Sequence, residues 1–237
     1  MRFNSQMNNI HPTAIISDDV VLGTGNIIGP NVVICGPCEI GNDNWFGPGV
    51  IIGTPGEYQG KIHAISWTEG SGGKVVIGSR NVIRELVTIH VSPETETRIG
   101  NGCYFMTKSH VPHDALIEDD VKVACAALIG GYGHIGKGAY IGLGAILHQR
   151  LHVGAGSMVG MGAVVTAHVP PLSKTFGSPS RVRGFNYAKS DAFGFSESDK
   201  EVFDLAYSSG DFPDGTGLSK GARYLLETYV INIDKQV

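Results

Sequence analysis

The segment SHVPHD, residues 109–114, places two histidines and an aspartate within six residues. An imidazole exchanges protons near neutral pH, and an adjacent carboxylate can orient and polarise it. His113, which Asp114 follows directly, is therefore a candidate general base. An isolated surface histidine usually has no such role, so the residues alone support a catalytic and an ordinary surface interpretation about equally.

The elements that position these side chains are predicted by a repeat of six residues. An apolar anchor recurs in three series: Ile10, Ile16, Leu22, Ile28, Ile34, Ile40, Phe46 and Ile52; Ile77, Ile83 and Ile89; and Ile99, Phe105, Val111, Ile117, Val123, Ile129, Ile135, Ile141, Leu147, Val153, Val159 and Val165. Each repeat supplies one short strand and one turn, and three repeats close a triangular coil of about 18 residues whose anchors point inward. Glycine often follows the anchor, and we expect it there because a tight turn favours positive φ. The sequence predicts an all-β protein built as a parallel β-helix.

Coils of this length arrange the polar residues in vertical columns. One column contains His113, Gly131 and Gln149, and the next contains Asp114, Tyr132, Arg150 and His168. A histidine beside an acid, with polar residues stacked above it, is typical of a site that handles protons.

A zinc site is the alternative use of the histidines. Some β-helix proteins bind zinc through three histidines, and His113, His148 and His152 have comparable separations. Because the coil places His148 and His152 outside the column of His113, we expect no metal. Cys35 and Cys38 form one Cys-x-x-Cys pair with no second pair, a weak metal signal. We expect these two, Cys103 and Cys125 to be reduced wall residues.

Two breaks in the repeat, at residues 54–76 and 91–98, predict inserted loops. Such insertions often lie on a binding face. The first carries aromatic and basic candidates for ligand contact: Tyr58, Lys61, His63 and Trp67. We therefore expect a β-helix over residues 1–176 that contains both loops.

Residues 177–237 predict a short C-terminal helical region. Ser196 and Asp199 indicate the start of a helix over about residues 197–208, which ends near Gly210. A second helix has an apolar stripe at helical spacing, which we expect to pack against the β-helix or a neighbouring subunit. The stripe comprises Ala222, Leu225, Leu226, Tyr229, Val230 and Ile233.

The bulk composition limits the classes of partner. The chain has 237 residues, 34 glycines and a net charge of −4, which argues against nucleic-acid binding. No apolar run is long enough for a transmembrane helix, and no targeting segment opens the chain. We expect a cytoplasmic protein.

Four segments resemble signatures of the UDP-N-acetylglucosamine O-acyltransferases of lipid A biosynthesis: RNVIRELVTIH (80–90), SHVPHD (109–114), AILHQ (145–149) and HVPP (168–171). The resemblance implies a left-handed β-helix that forms a homotrimer with sites between subunits. It makes His113 the general base, oriented by Asp114. His110, His148 and Gln149 match positions of the acceptor site, and Asn186 matches a position near the nucleotide. Gly131 and the backbone near Gly144 match positions that handle the oxyanion and the pantetheine arm.

The chain also departs from the family pattern. Tyr132 replaces a histidine in the coil above the base. A basic cluster that would contact phosphates and acyl carrier protein is replaced by residues 189–193, KSDAF. Met161 stands where a small residue ends the acyl groove in long-chain members, so we expect a preference for short acyl chains. The exit GSPSRV (177–182) is closer to that of coenzyme-A-dependent acetyltransferases.

Three functions remain open on this basis. The first is O-acylation of a nucleotide-linked amino sugar from an acyl carrier protein or coenzyme A thioester, without a bound cofactor. The second is coenzyme-A-dependent N-acylation of such a sugar for surface polysaccharide, in which an amine needs His113 less. The third is a non-catalytic assembly protein, which would have no reason to keep the histidine-rich segments.

Overall fold

Three sheets, parallel except for one terminal strand, form the faces of a triangular prism in the computed structural model, which describes residues 7–57, 72–213 and 215–234. Sheet I contains, in order, β1 (Asn9–Ile10), β4 (Ile27–Ile28), β7 (Trp45–Phe46), β10 (Val82–Ile83), β13 (Tyr104–Phe105), β16 (Lys122–Val123), β19 (Tyr140–Ile141), β22 (Met158–Val159), β24 (Ser173–Gly177) and β25 (Ser180–Phe185). Sheet II contains β2 (Ile15–Ile16), β5 (Val33–Ile34), β8 (Ile51–Pro55), β11 (Thr88–Val91), β14 (His110–Val111), β17 (Leu128–Ile129), β20 (Ile146–Leu147) and β23 (Val164–Val165). Sheet III contains β3 (Val20–Leu22), β6 (Cys38–Ile40), β9 (Lys74–Ile77), β12 (Glu96–Ile99), β15 (Leu116–Ile117), β18 (His134–Ile135) and β21 (His152–Val153). From β1 to β24, consecutive strands along the chain therefore belong to different sheets, and the chain forms a β-helix.

The anchors of the six-residue repeat form the core of this prism. Every anchor from Ile28 to Val165 is buried, with Phe46 and Phe105 at 0% exposure. The first anchor, Ile10, is 43% exposed because its strand pairs on one side only. The prediction of inward anchors is confirmed except at this open end of the prism.

The glycine after the anchor has a different cause from the predicted one. A Cβ on Gly78 would lie 2.6 Å from the carbonyl oxygen of Gly100, and one on Gly136 would lie 2.6 Å from the nitrogen of Ala155. These glycines have no positive φ, which instead occurs two residues later, as at Asn31 (φ 56°). Gly53, which follows the anchor Ile52, does have positive φ (80°). At the other glycines after an anchor the expectation is wrong, because glycine is required there by the close approach of the next coil.

Both insertions connect a strand of sheet II with the next strand of sheet III. The first connects β8 with β9, and its predicted contact residues Tyr58, Lys61, His63 and Trp67 lie outside the described residues. The second insertion is shorter than predicted. Strand β11 ends at Val91 and strand β12 begins at Glu96, so only residues 92–95 lie between them. Two strands therefore account for half of the region predicted as a loop.

The C-terminal region begins with a sheet extension and continues as helices. Strand β24 pairs in parallel with β22 and antiparallel with β25, which adds two strands to the end of sheet I. The helices are α1 (Tyr187–Ser190), a 3₁₀ turn (Asp191–Phe193), α2 (Glu197–Ser209) and α3 (Lys220–Asp234). The predicted α2 is confirmed, with a capping box between Ser196 and Asp199 and a left-handed C-cap at Gly210. No helix among the described residues is both long and apolar enough to span a membrane.

Helix α3 packs its apolar stripe onto the last coil and α2. Four residues of the stripe are buried: Ala222, Leu225, Leu226 and Tyr229. The first three belong to a hydrophobic cluster that also contains Phe185 and Phe203. Val230, predicted as part of this face, is 46% exposed, because only one side of the helix contacts the β-helix.

Tyr229 of α3 covers two stacked histidines of sheet III. The rings of His134 and His152 lie 4.3 Å apart and nearly parallel, and the ring of Tyr229 lies 5.0 Å from that of His152. Glu118 pairs with Nε2 of His134 at 2.7 Å. Burial, and then the neighbouring His134, lower the pKa of His152 to about 3.

This buried histidine should make stability fall at mildly acidic pH. Below about pH 6.5 the unfolded chain binds a proton that folded His152 does not bind, so stability is lost as the pH falls from there towards 3. Near pH 5, the free energy of unfolding of wild type should fall by about 1.4 kcal/mol more per unit decrease in pH than that of His152→Phe. Urea unfolding at pH 5, 6 and 7 measures this difference, with the exposed His11→Phe as the control. Equal slopes for wild type and His152→Phe would contradict it.

The cysteines line the wall, as predicted. Cys35, Cys38 and Cys103 are buried free thiols, and Cys125 is half-buried. Burial raises the pKa of Cys38 and that of Cys103 to about 12, so neither is a reactive thiolate at neutral pH.

Candidate active site

His113 and Asp114 lie on the turn after β14, at the corner between sheets II and III. The imidazole Nδ1 is 2.7 Å from Oδ2 of Asp114, and the two side chains are 14% and 10% exposed. An ionised carboxylate only accepts hydrogen bonds, so Nδ1 carries a proton, and in the neutral imidazole Nε2 is the acceptor nitrogen. This is the tautomer that a general base requires.

The second insertion holds the aspartate in place. Ser92 Oγ donates to Oδ1 of Asp114 at 2.6 Å, and Thr95 Oγ1 donates to the same oxygen at 3.1 Å. The backbone N–H of Asp114 donates to Thr97 Oγ1 at 2.9 Å. These three residues were not predicted from the sequence, although the hydroxyl-rich composition of residues 92–97 was a usable signal.

Gly131 lies directly above His113, as the column of coils predicted. A Cβ at this position would be 2.8 Å from Cε1 and 2.9 Å from Nε2 of the imidazole. Because Gly131 has no Cβ, the edge of the His113 ring that carries Nε2 can occupy this space.

His110 and His90 form a second group of imidazoles beside this pair. Thr88 Oγ1 lies 2.8 Å from Nδ1 of His110, and the rings of His90 and His110 meet edge to face at 4.7 Å. Burial lowers the pKa of His110, and burial followed by the charge of His110 lowers that of His90 to about 4. Nδ1 of His90 has no hydrogen-bond partner among the described residues. Both rings are thus neutral at pH 7, and His90 is a site residue that the sequence analysis did not single out.

The other predicted members of this corner are more exposed. His148 and Gln149 are exposed on the turn after β20, where Nδ1 of His148 lies 3.1 Å from the carbonyl oxygen of Gln149. Tyr132 lies one coil above Asp114, and its ring meets that of His113 edge to face at 5.3 Å. The predicted columns are confirmed at this corner.

Met161 and Asn186 lie elsewhere. Met161 follows β22 at the corner between sheets I and II and is 76% exposed. Asn186 is 7% exposed, and its Nδ2 donates to the carbonyl oxygen of Gly156, near the corner between sheets III and I. The single chain does not bring either residue to His113.

Two of the three histidines considered as zinc ligands, His113 and His152, lie on different parts of the prism. Across residues 7–57, 72–213 and 215–234, no group of three or more histidine, cysteine or acidic side chains is placed to hold a metal ion. His152 is 2% exposed inside the sheet III stack, away from the corner of His113.

Solved acyltransferase structures share this architecture. The UDP-N-acetylglucosamine O-acyltransferase of Moraxella catarrhalis aligns with a TM-score of 0.68 at 24% identity, over 97% of this chain and 95% of that one. A Stutzerimonas stutzeri protein named as an acyl-(acyl-carrier-protein)–UDP-N-acetylglucosamine O-acyltransferase is 34% identical over 199 residues, which cover 79% of this chain and 76% of the relative.

This chain belongs to the UDP-N-acetylglucosamine O-acyltransferase family. The predicted family is thereby confirmed, and the fold is the left-handed parallel β-helix of these acyltransferases. A Gloeothece citriformis member is 38% identical over 146 residues, which cover 59% of this chain. The chain spans about half the length of the first such relatives, 53% for this one. No family model matches the chain.

Proposed function

We propose that this protein is an acyltransferase that moves an acyl group from a thioester to a hydroxyl of UDP-N-acetylglucosamine, a step of lipid A biosynthesis. The His113–Asp114 pair, with Nδ1 and Oδ2 2.7 Å apart, carries the proposal. The names of the relatives that share a third of their residues support it. The same inference places the reaction in the cytoplasm.

The proposed reaction is a single acyl transfer. Nε2 of His113 takes the proton of the sugar hydroxyl while the hydroxyl oxygen attacks the carbonyl carbon of the thioester. The C–S bond then breaks, and the leaving thiolate takes the proton back from the imidazolium. Asp114 stabilises the imidazolium, while Ser92 and Thr95 keep the carboxylate in position.

Backbone and flanking side chains complete the proposed site. The Gly131 N–H has no acceptor among the described residues, so we assign it to the oxyanion of the tetrahedral intermediate. His110, His148, Gln149 and Tyr132 would contact the acceptor. The side-chain amide of Asn186 donates a hydrogen bond to the carbonyl oxygen of Gly156, and it would anchor the C-terminal segment on the last coil.

We propose a homotrimer, which would bring the corner of Met161 in one subunit close to the corner of His113 in the next. The outer face of sheet II exposes apolar side chains, with Leu128 at 44% and Ile146 at 48%. Such a flat apolar wall suits a closed symmetric assembly in which sheet II faces a neighbour. Met161 of one subunit would then line the acyl groove of the site on the next.

Within that assembly, Met161 should limit the length of the acyl chain. Its 76% exposed side chain would fill the end of the groove. Each excluded methylene forfeits about 0.8 kcal/mol, and forcing carbons past the side chain adds ~1–3 kcal/mol of strain. We expect a preference for about ten carbons or fewer and a shift of about tenfold or more towards longer chains in Met161→Gly. Competition assays with mixed chain lengths measure this shift, with the exposed Leu205→Gly of α2 as the control. An unchanged profile would place the acyl chain elsewhere.

The acyl donor is either an acyl carrier protein or a coenzyme A thioester. Asp191 stands within the segment that replaces the family's basic cluster, and it pairs with Lys200 at 2.7 Å. An acidic carrier protein would gain little on-rate from this surface. We therefore propose weak dependence on the carrier protein.

Mass spectrometry of the purified protein tests the proposal. UDP-N-acetylglucosamine is supplied with acyl carrier protein thioesters in one series and coenzyme A thioesters in the other, each over several chain lengths. At least one donor should give the acylated nucleotide sugar, and His113→Ala should give almost none. No product with any donor would overturn the proposal.

A further inference from the structure

A stacked arginine lies above the catalytic pair. The guanidinium carbon of Arg150 is 4.2 Å from the ring centroid of Tyr132, and that ring meets the His113 ring at 5.3 Å and 87°. The guanidinium is therefore held within about 10 Å of the imidazole, two coils of ~4.8 Å above it.

The backbone sets this stack in register. Asp114, Tyr132 and Arg150 occupy the same left-handed turn position in successive coils, with φ of 57°, 60° and 58°. The N–H of Arg150 donates to the carbonyl oxygen of Gly131 at 2.8 Å, which ties the upper turn to the lower one. The aromatic face then restrains a long side chain that would otherwise sample many rotamers.

The charge of Arg150 is available for a ligand. Arg84, Arg98 and Lys200 each pair with a carboxylate, whereas Arg150 pairs with none within the described ranges and is exposed. A guanidinium that stacks on an aromatic ring still presents its planar N–H donors, which match two oxygens of a phosphate.

The surrounding charges favour an anion on this side of His113. Glu57, Glu94 and Asp114 lie on this corner below or level with His113, whereas Arg150 lies two coils above it. His148 and His168 lie at and above the level of Arg150, and burial lowers the pKa of His168. The corner is therefore acidic at and below the base and carries the positive charge of Arg150 above it.

We propose that Arg150, stacked on Tyr132, binds a phosphate group of the substrate, and that this group belongs to the diphosphate of the nucleotide-sugar acceptor. This inference rests on the proposed function. A sugar whose hydroxyl reacts at His113 carries its diphosphate one ring away, within the reach of Arg150. The phosphate of the donor is separated from the thioester by the whole pantetheine arm.

Kinetics and direct binding of UDP test the inference with three variants. Arg150→Gln removes the charge, and Arg150→Lys keeps the charge but not the planar fork. Arg80→Gln is the matched control, because Arg80 is exposed at the same turn position (φ 59°) on another corner. Each variant is compared with wild type for the acceptor and donor KM, for kcat, and for the Kd of UDP by calorimetry.

In Arg150→Gln we expect the acceptor KM and the Kd of UDP to rise about tenfold or more, with kcat within about threefold. Arg150→Lys should be intermediate, and Arg80→Gln should match wild type. If Arg150→Gln changes neither quantity, or if only the donor KM rises, the assignment to the acceptor diphosphate is wrong. A wild-type protein that neither binds UDP nor acylates any nucleotide sugar would instead refute the proposed function itself.

Discussion

His113→Ala is expected to lower kcat by about 10²–10⁴ while leaving the acceptor KM nearly unchanged. The variant loses the group that accepts the hydroxyl proton, and a neutral sugar hydroxyl is a poor nucleophile without it. Stability should change little, because His113 lies on a surface turn and not among the inward anchors. Steady-state kinetics and a thermal melt measure both effects.

Asp114→Asn serves as the partner variant and His11→Ala as the control. The amide keeps the shape of Asp114 but no longer stabilises the imidazolium, so kcat should fall by an intermediate amount. His11 is exposed near the open end of the prism, and its loss should have no kinetic effect. If His113→Ala retains more than about a third of the activity, the nucleophile needs no base, and acylation of an amine becomes the better reading.

Gly131→Ala is expected to lower kcat by about 10²-fold, since displacements near 1 Å at a reacting group cost that much. The new Cβ would lie 2.8 Å from Cε1 and 2.9 Å from Nε2 of His113, so the imidazole must move. Gly131 has no positive φ, so alanine fits the backbone without strain. Kinetics and a thermal melt should therefore show a large loss of kcat with an almost unchanged Tm.

A double variant shows whether this loss acts through His113. If it does, Gly131→Ala combined with His113→Ala should be no slower than His113→Ala alone, because the two changes remove the same interaction. Additive losses would mean that Gly131 acts independently, for example through its N–H alone.

The periodic part of the molecule was readable from the sequence. A six-residue period fixes the sheet of each strand within the repeat, and it placed Gly131 over His113 and Tyr132 over Asp114. The reason is physical, since stacked coils repeat the same backbone path and side chains at equal phase must share a column.

Contacts made by residues outside the six-residue repeat could not be predicted from the sequence. Ser92 and Thr95 reach Asp114 from an insertion whose path no repeat dictates. Apart from Gly53, the glycines after the anchors were predicted for the wrong reason, because the sequence pattern does not show the distance between coils. Met161 and Asn186 lie on other corners, and only an assembly of chains could relate Met161 to His113.

The linkage in the product tests the central claim most directly. The purified protein is given an acyl thioester with equal amounts of UDP-N-acetylglucosamine and a UDP-sugar that bears a free amine. We predict a product whose mass is that of UDP-N-acetylglucosamine plus the corresponding carboxylic acid less one water, and mild alkali should regenerate UDP-N-acetylglucosamine from this ester. An alkali-stable amide formed only on the amine-bearing sugar would contradict it.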